Sequence, residues 1–508
     1  MPLIIRAALW LCAAILLILM VKLSLLVWTF PDERQEAGAM GLERTECWFN
    51  KSPVQLLTRC YYVHVPENHH VEDSNIISFP LIVFRSFWGN GSKSPVLHLG
   101  GGGPGGPLYL DDANGVAYLK DYHNDFSLKV GRDLYVMDPR GVGLARPSLN
   151  CGRFVDSQLL RFQQNLSLAE SLDGQQADYR NCIVEMRQQS IDLAQYNSLS
   201  VAEDVELLRR SMGTESWVLF GVSYGAVYAQ TIARRAPASV ESMVLDSAAF
   251  PHIPEHRNFY DATMATYQAL YSHCDISPAC DLTATEAQQR LWTTYAELES
   301  RPLEVDISFD AGGSFVDLLL TGNRLIEVLL NASYSTEIFL DLHRVLEALE
   351  SGDTRPLQPY IEDYVYFMLD RQWGDISYLS HYCHEMKPFA DHKALLRGIE
   401  TLPEGYIRES TMLAYLADDF CIEMGVPATD PVFAKEQIVT VPTLFLHGEK
   451  DTITPLTDVI ESSQYFLNHK IKVFPAAHSV ITAEECAEIA AARFVEDHSA
   501  HDLGCYPP

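Results

Sequence analysis

Seven short apolar runs of strand-forming side chains, six of them closed by glycine, serine or aspartate, constrain this chain more than any other feature. Five come early: ISFPLIVFRS (77–86), PVLHLG (95–100), DLYVMD (133–138), SWVLFG (216–221) and SMVLDS (242–247). Two come late: VPTLFLHG (441–448) and IKVFPAA (471–477). Helical spacing separates them, which is the pattern of an α/β chain with a mostly parallel sheet. Between about Pro251 and Glu436 the pattern changes to long helical stretches such as ATMATYQALYSHC and STEIFLDLHRVLEALE. That change reads as a helical insertion into the sheet domain.

The fourth run leads into LFGVSYGAVYAQ (219–230), where Ser223 stands between Gly221 and Gly225 as a strand becomes a helix. Glycine and serine are common in any tight turn, but the strand before and the helical spacing after make this a nucleophile elbow, with the hydroxyl exposed at the carboxyl edge of the sheet. A serine hydroxyl needs a base, and the base needs an orienting carboxylate. LFLHGEKDTITP places Asp451 in the loop after the sixth run, and KVFPAAHSV places His478 after the seventh. The order Ser, Asp, His at successive strand ends is that of an α/β-hydrolase sheet. Asp246, at the end of SMVLDS, is the rival acid and is read as a structural strand-end residue.

A tetrahedral oxyanion requires bare N–H donors. HLGGGGPGGP (98–107) can present one from Gly103, and the residue after the nucleophile, Tyr224, supplies the other. The same glycines match G-x-G-x-x-G through Gly101, Gly103 and Gly106, but Pro104 and Pro107 sit badly in a turn that must open into a helix, so no dinucleotide site is expected. SHYCHEM (380–386) gathers His381, Cys383, His384 and Glu385 without matching a zinc-hydrolase spacing, and no metal or other cofactor is expected.

With 67 acidic against 37 basic residues, the net charge of −30 argues against nucleic acid and anionic membrane surfaces as main partners. Residues 1–30 form a long apolar run behind Arg6, the mark of a signal peptide or a signal anchor. The bulk of the chain is then exported: periplasmic, extracellular or held in the membrane by this segment. Outside that segment ten cysteines remain, an even number suited to an oxidising compartment.

Taken together, GGGPGG, DLYVMDPRGVGLARPSLNC, GVSYG, HGEKDTITP and AAHSV resemble the proline iminopeptidase and tripeptidyl aminopeptidase family of α/β hydrolases, from about Cys47 to Cys505. The resemblance implies Ser223 as nucleophile, Asp451 as orienting acid, His478 as base, and a cap over the site. It also implies peptide substrates with a free N-terminus, from which proline or a short peptide is released. The chain departs from the family's usual pattern at Gly101, in place of histidine, and at Pro139, in place of glutamine. Family placement and local order imply the pairs Cys47–Cys60, Cys151–Cys182, Cys274–Cys280, Cys383–Cys421 and Cys486–Cys505. Binding an ammonium group calls for a cap carboxylate. Glu385, held near Cys383, is the candidate, with Asp375, Asp418 and Asp419 as alternatives.

The expected architecture is therefore an α/β-hydrolase core in two parts, 46–250 and 437–508, with a helical cap at 251–436. Two other functions stay open, a carboxylesterase and a non-catalytic binding protein on the same scaffold.

Overall fold

The computed structural model describes residues 3–28, 41–49, 57–89, 93–123, 130–254, 262–277, 280–308, 315–401, 419–500 and 503–504. Its centre is a nine-stranded sheet in the order β1-β2-β3-β5-β4-β6-β7-β10-β11. The strands are β1 (Gly41–Thr45), β2 (Thr58–Pro66), β3 (Ile76–Phe84), β4 (Val96–Leu99), β5 (Leu134–Met137), β6 (Trp217–Val222), β7 (Val240–Asp246), β10 (Thr443–Gly448) and β11 (His469–Phe474). All seven apolar runs are strands of this sheet. From β5 through β4, β6, β7 and β10 to β11 every pairing is parallel. The β1–β2, β2–β3 and β3–β5 pairings are antiparallel. The strands β1 and β2 extend the sheet beyond those runs, with β1 at its edge.

Alternation in β6 shows why the middle strands read as unbroken apolar runs. Trp217 and Leu219 join one buried cluster with Met243, Leu245 and Phe445, while Val218, Phe220 and Val222 join another with Val244, Leu444 and Leu446. Both faces of the sheet are covered, so both sets of side chains must be apolar.

The insertion between β7 and β10 is mainly helical, as expected, and carries one antiparallel hairpin, β8 (Leu303–Ser308) with β9 (Phe315–Leu320). Its own core is a separate cluster containing Leu270, Leu291, Leu325, Leu346 and Ile361. Phe154, Phe162, Ile183 and Tyr196 belong to that same cluster. These come from the segment holding the helices Gly152–Arg161 and Leu168–Gln188, which the division at residue 251 assigns to the sheet domain. The cap is thus built from two stretches of chain. Hydrophobic spacing alone does not say which surface an amphipathic helix covers, so this assignment needed the tertiary structure.

Four of the five expected pairs lie within the described residues and are disulfides: Cys47–Cys60, Cys151–Cys182, Cys274–Cys280 and Cys383–Cys421. Cys505, in the fifth pair, lies outside them. Within the helix Leu3–Trp28, residues Leu9–Trp28 are largely exposed and, by length and composition, sufficient to cross a membrane.

Candidate active site

The turn after β6 is forced by close approach. A Cβ on Gly225 would stand 2.1 Å from the Leu99 carbonyl oxygen, and one on Gly221 2.7 Å from the Gly225 oxygen. Glycine at both positions lets the helix Gly225–Arg235 start directly against β4 and β6. Ser223 itself adopts φ +53°, a left-handed conformation that a non-glycine residue holds only when its surroundings impose it. Its N–H donates to the Asp246 carbonyl at 2.9 Å, and its own carbonyl accepts from Ala226 and Ala249.

Asp451 and His478 form the charge pair expected of them. His478 Nδ1 lies 3.1 and 3.0 Å from the two Asp451 carboxylate oxygens. The Asp451 carboxylate is buried and also accepts from the Ile453 and Thr454 amides and the Thr454 hydroxyl, at 2.9–3.0 Å. Burial works to raise its pKa, but His478 and these donors hold it at about 2. Burial likewise works to lower the His478 pKa, and Asp451 raises it overall, with a smaller contribution from Asp246. The carboxylate therefore fixes which ring nitrogen carries the proton and leaves Nε2 free to accept one.

Asp246, the rival acid, does a different job. Its carboxylate accepts the amides of Val480 and Ile481, both at 3.0 Å, and the neighbouring Ser247 hydroxyl accepts the Ser479 amide at 2.8 Å. Ser479 has φ +63°, so the loop after His478 is bent sharply and held by these bonds. The Asp246 backbone oxygen meanwhile holds the Ser223 amide. One strand end thus brings the serine turn and the histidine loop together at the carboxyl edge of the sheet. Ser223 Oγ makes no hydrogen bond to His478 in this conformation among the described residues; such contacts often tighten only when substrate binds.

A difference between the two acids is expected in kinetics. Asp451→Asn should lower kcat by about 10⁴-fold, since it reverses the tautomer. Asp246→Asn should cost only about tenfold, by loosening the loop. Asp246 also adds to the upward pull on His478, so its neutralisation should move the acid limb of the kcat–pH profile to lower pH. A folded Asp246→Asn protein more impaired than Asp451→Asn would reverse the acid assignment.

The glycine loop lies directly on the nucleophile, and a Cβ on Gly101 would stand 2.9 Å from Ser223 Cβ. Gly103, the expected donor, begins a short 3-10 turn, Gly103–Gly105, with φ +64°. The Tyr378 ring lies 3.4 Å from where its Cβ would be. Tyr224 caps the helix Gly225–Arg235, so its amide belongs to a helix N-terminus. On the other side, the Tyr334 ring stands edge-on to His478, centroids 5.3 Å apart. Tyr334 and Tyr378 belong to the cap and were not singled out from the sequence.

Glu385 differs from its expected setting. It is only 3% exposed, and its Oε1 accepts from the Tyr224 hydroxyl at 2.6 Å and the Ser198 hydroxyl at 2.7 Å. Burial raises its pKa to about 7 against the pull of these donors. Its carboxylate is engaged by the protein's own groups. Asp375 is also buried and accepts the Cys151 amide at 2.8 Å. The chain of Asp419 starts the helix Asp419–Met424, and Asp418 lies outside the described residues. In SHYCHEM, Cys383 is bonded to Cys421, and no group of three metal-ligating side chains occurs among the described residues.

Residues 96–289 match the family described as alpha/beta hydrolase fold. Among curated proteins, the chain is similar to the serine protease Hip1 of Mycobacterium tuberculosis, 25% identical over 242 residues, covering 45% of this chain and 44% of that protein. It is also similar to the putative hydrolase YuaR of Escherichia coli, 26% identical over 204 residues, covering 39% and 38%. The match spans less than half the length of either relative. Among solved structures, a proline iminopeptidase of Mycobacterium smegmatis aligns over 86% of this chain and 98% of its own, at 14% identity and TM-score 0.41. With its parallel sheet, its serine turn after β6 and its acid and histidine after β10 and β11, this chain has the α/β-hydrolase fold.

Proposed function

We propose that the chain is an exported or membrane-anchored serine aminopeptidase that releases proline or a short peptide from the amino end of peptide substrates. The observation that carries the reading is the Asp451–His478 pair, tied through Asp246 and Ser247 to the strained Ser223 turn. Ser223 Oγ attacks the scissile carbonyl as His478 Nε2 takes its proton. The oxyanion that forms meets the amides of Tyr224 and Gly103. His478 then protonates the leaving amine, which departs and leaves an acyl-serine. Water, deprotonated by His478, cleaves that ester and restores the serine. No metal or organic cofactor enters this sequence.

The match to a curated serine protease supports a peptide bond as the target, and the disulfides and N-terminal apolar helix support export. A free amino end is the finer part of the proposal. Exposed Asp111 and Asp112, just beyond the glycine loop, favour a cationic terminus there.

A peptide anilide with a free amine, compared with its N-acetylated form, tests the proposal. A preference of at least about a hundredfold in kcat/KM for the free amine is expected, because an ammonium contact that specifies a substrate is lost entirely on blocking. Equal rates on the two, with faster turnover of simple esters, would make the protein a carboxylesterase. Failure of a fluorophosphonate probe to label Ser223 would leave a binding protein on a hydrolase scaffold.

A further inference from the structure

The buried carboxylate of Glu385 is not explained by the triad, and its partners lead to the oxyanion site. It lies in a five-residue π turn, Tyr382–Met386, that continues the helix Asp375–His381. Such turns widen a helix by one residue and recur at functional sites. This one is fastened twice to the chain beyond it. Cys383 is bonded to Cys421, and His384 Nδ1 is 2.7 Å from the Pro427 carbonyl. The Cys383–Cys421 bond thus holds Glu385 within the cap.

What Glu385 grips belongs to the sheet domain. The Tyr224 hydroxyl donates to Oε1 at 2.6 Å, the Ser198 hydroxyl at 2.7 Å, and the Ser198 amide lies 3.3 Å from both oxygens. Ser198 is the first residue of the helix Ser198–Met212, so the carboxylate also faces the positive end of a four-turn helix. Three donors and a helix terminus engage this carboxylate and partly offset the cost of burying it. Tyr224 is itself buried, its ring packed edge-on against Tyr228 with centroids 5.3 Å apart. One end of this residue is therefore the amide beside the nucleophile, and the other is the hydroxyl held by the cap.

We propose that Glu385 is a positioning residue for the oxyanion site: by holding the Tyr224 hydroxyl it fixes the Tyr224 backbone amide, so that this donor is correctly aimed only when the cap is seated. This rests on the reading of Ser223 as nucleophile and Tyr224 as oxyanion donor. It replaces the role of ammonium receptor for Glu385, whose carboxylate is buried and already engaged by groups of the protein itself.

The test uses the full-length protein with Tyr224→Phe, Glu385→Ala, Glu385→Gln and the Tyr224→Phe/Glu385→Ala double variant. Each is assayed on a p-nitrophenyl ester and on a peptide anilide, free and N-acetylated. Complete loss of an oxyanion donor costs about 10²–10³-fold in kcat. Misaiming one should cost about tenfold, equally on all substrates, with KM unchanged within twofold. The double variant should be no slower than the slower single, because both changes break one contact. Glu385→Gln, which still offers an oxygen to Tyr224, should recover at least about threefold over Glu385→Ala. Affinity for a peptide trifluoromethyl ketone, which forms the oxyanion, should fall in step with kcat.

Multiplicative losses in the double variant would overturn the proposal. So would a loss confined to the free-amine peptide, which would restore the ammonium role, and so would unchanged turnover by Tyr224→Phe, a substitution that removes a single oxygen atom. The ester arm separates this proposal from the aminopeptidase reading. Ester turnover depends on the oxyanion site whether or not a free amine is preferred.

Discussion

Ser223→Ala should lower kcat by about 10⁶-fold on any substrate while leaving the fold intact, because removing a triad nucleophile removes the acyl-enzyme route altogether. The substitution deletes one oxygen that makes no hydrogen bond to His478 among the described residues, so no buried donor loses a partner. The left-handed backbone at Ser223 is equally awkward for serine and alanine, and the unfolding midpoint should barely move. His478→Ala should come within an order of magnitude of Ser223→Ala, and the double variant should be no slower than either. A multiplicative loss in the double variant would show that the two side chains work independently, contrary to the arrangement described.

The second large effect is expected in stability. Arg140 has no exposed side-chain surface, and its guanidinium forks onto Asp204 at 2.7 Å through Nε and 2.5 Å through Nη2. Its Nη1 hydrogens go to the carbonyls of Glu67 and Gln195, at 2.6 and 3.0 Å, and Nη2 also reaches the Pro66 carbonyl at 3.3 Å. The pair ties the loop after β5 to the helix Ser198–Met212 and to the end of β2. Arg140→Met keeps most of the volume but leaves a buried carboxylate without its guanidinium partner, with the His69 ring 2.7 Å away. Breaking a buried pair from one side costs about 3–5 kcal/mol. That loss should appear as a lower urea midpoint with an unchanged m-value. Arg140→Met/Asp204→Leu should recover much of it, since the uncompensated charge is then gone. If the single variant is as stable as the parent, the pair is not holding these elements together.

Arg140 also illustrates what could be read from the chain before its structure. DPRGVG was visible as a motif, but the partners at positions 67, 195 and 204 were not, because side-chain contacts across such separations leave no local period. Ser223, Asp451 and His478 were legible for the opposite reason: each follows an apolar run, and parallel strands deliver their ends to one edge. Asp246 could be seen to end a strand, while its hold on the amides after His478 depends on a bend at Ser479 that no sequence rule supplies. Glu385 shows the same limit more sharply. Its proximity to a disulfide was readable, whereas the burial that turned its carboxylate toward Tyr224 comes from the π turn and the helix of Ser198. The glycine loop lies between these cases. Glycine was plainly required there, but which glycine touches Ser223 is set by packing, and it is Gly101.

The shared cluster that joins Phe154, Phe162 and Ile183 to the helices beyond Ala262 bears on how this protein can be re-engineered. A lid exchanged between homologues at residues 251 and 436 would carry away one wall of that cluster and strand the other, leaving the apolar sides of Gly152–Arg161 and Leu168–Gln188 facing water or a foreign partner. Chimeras cut that way should express poorly and stick to one another, as exposed apolar patches do. A transplantable lid needs two grafts, 151–188 together with 262–424, moved as one unit with the Cys151–Cys182 and Cys383–Cys421 bridges that brace each half.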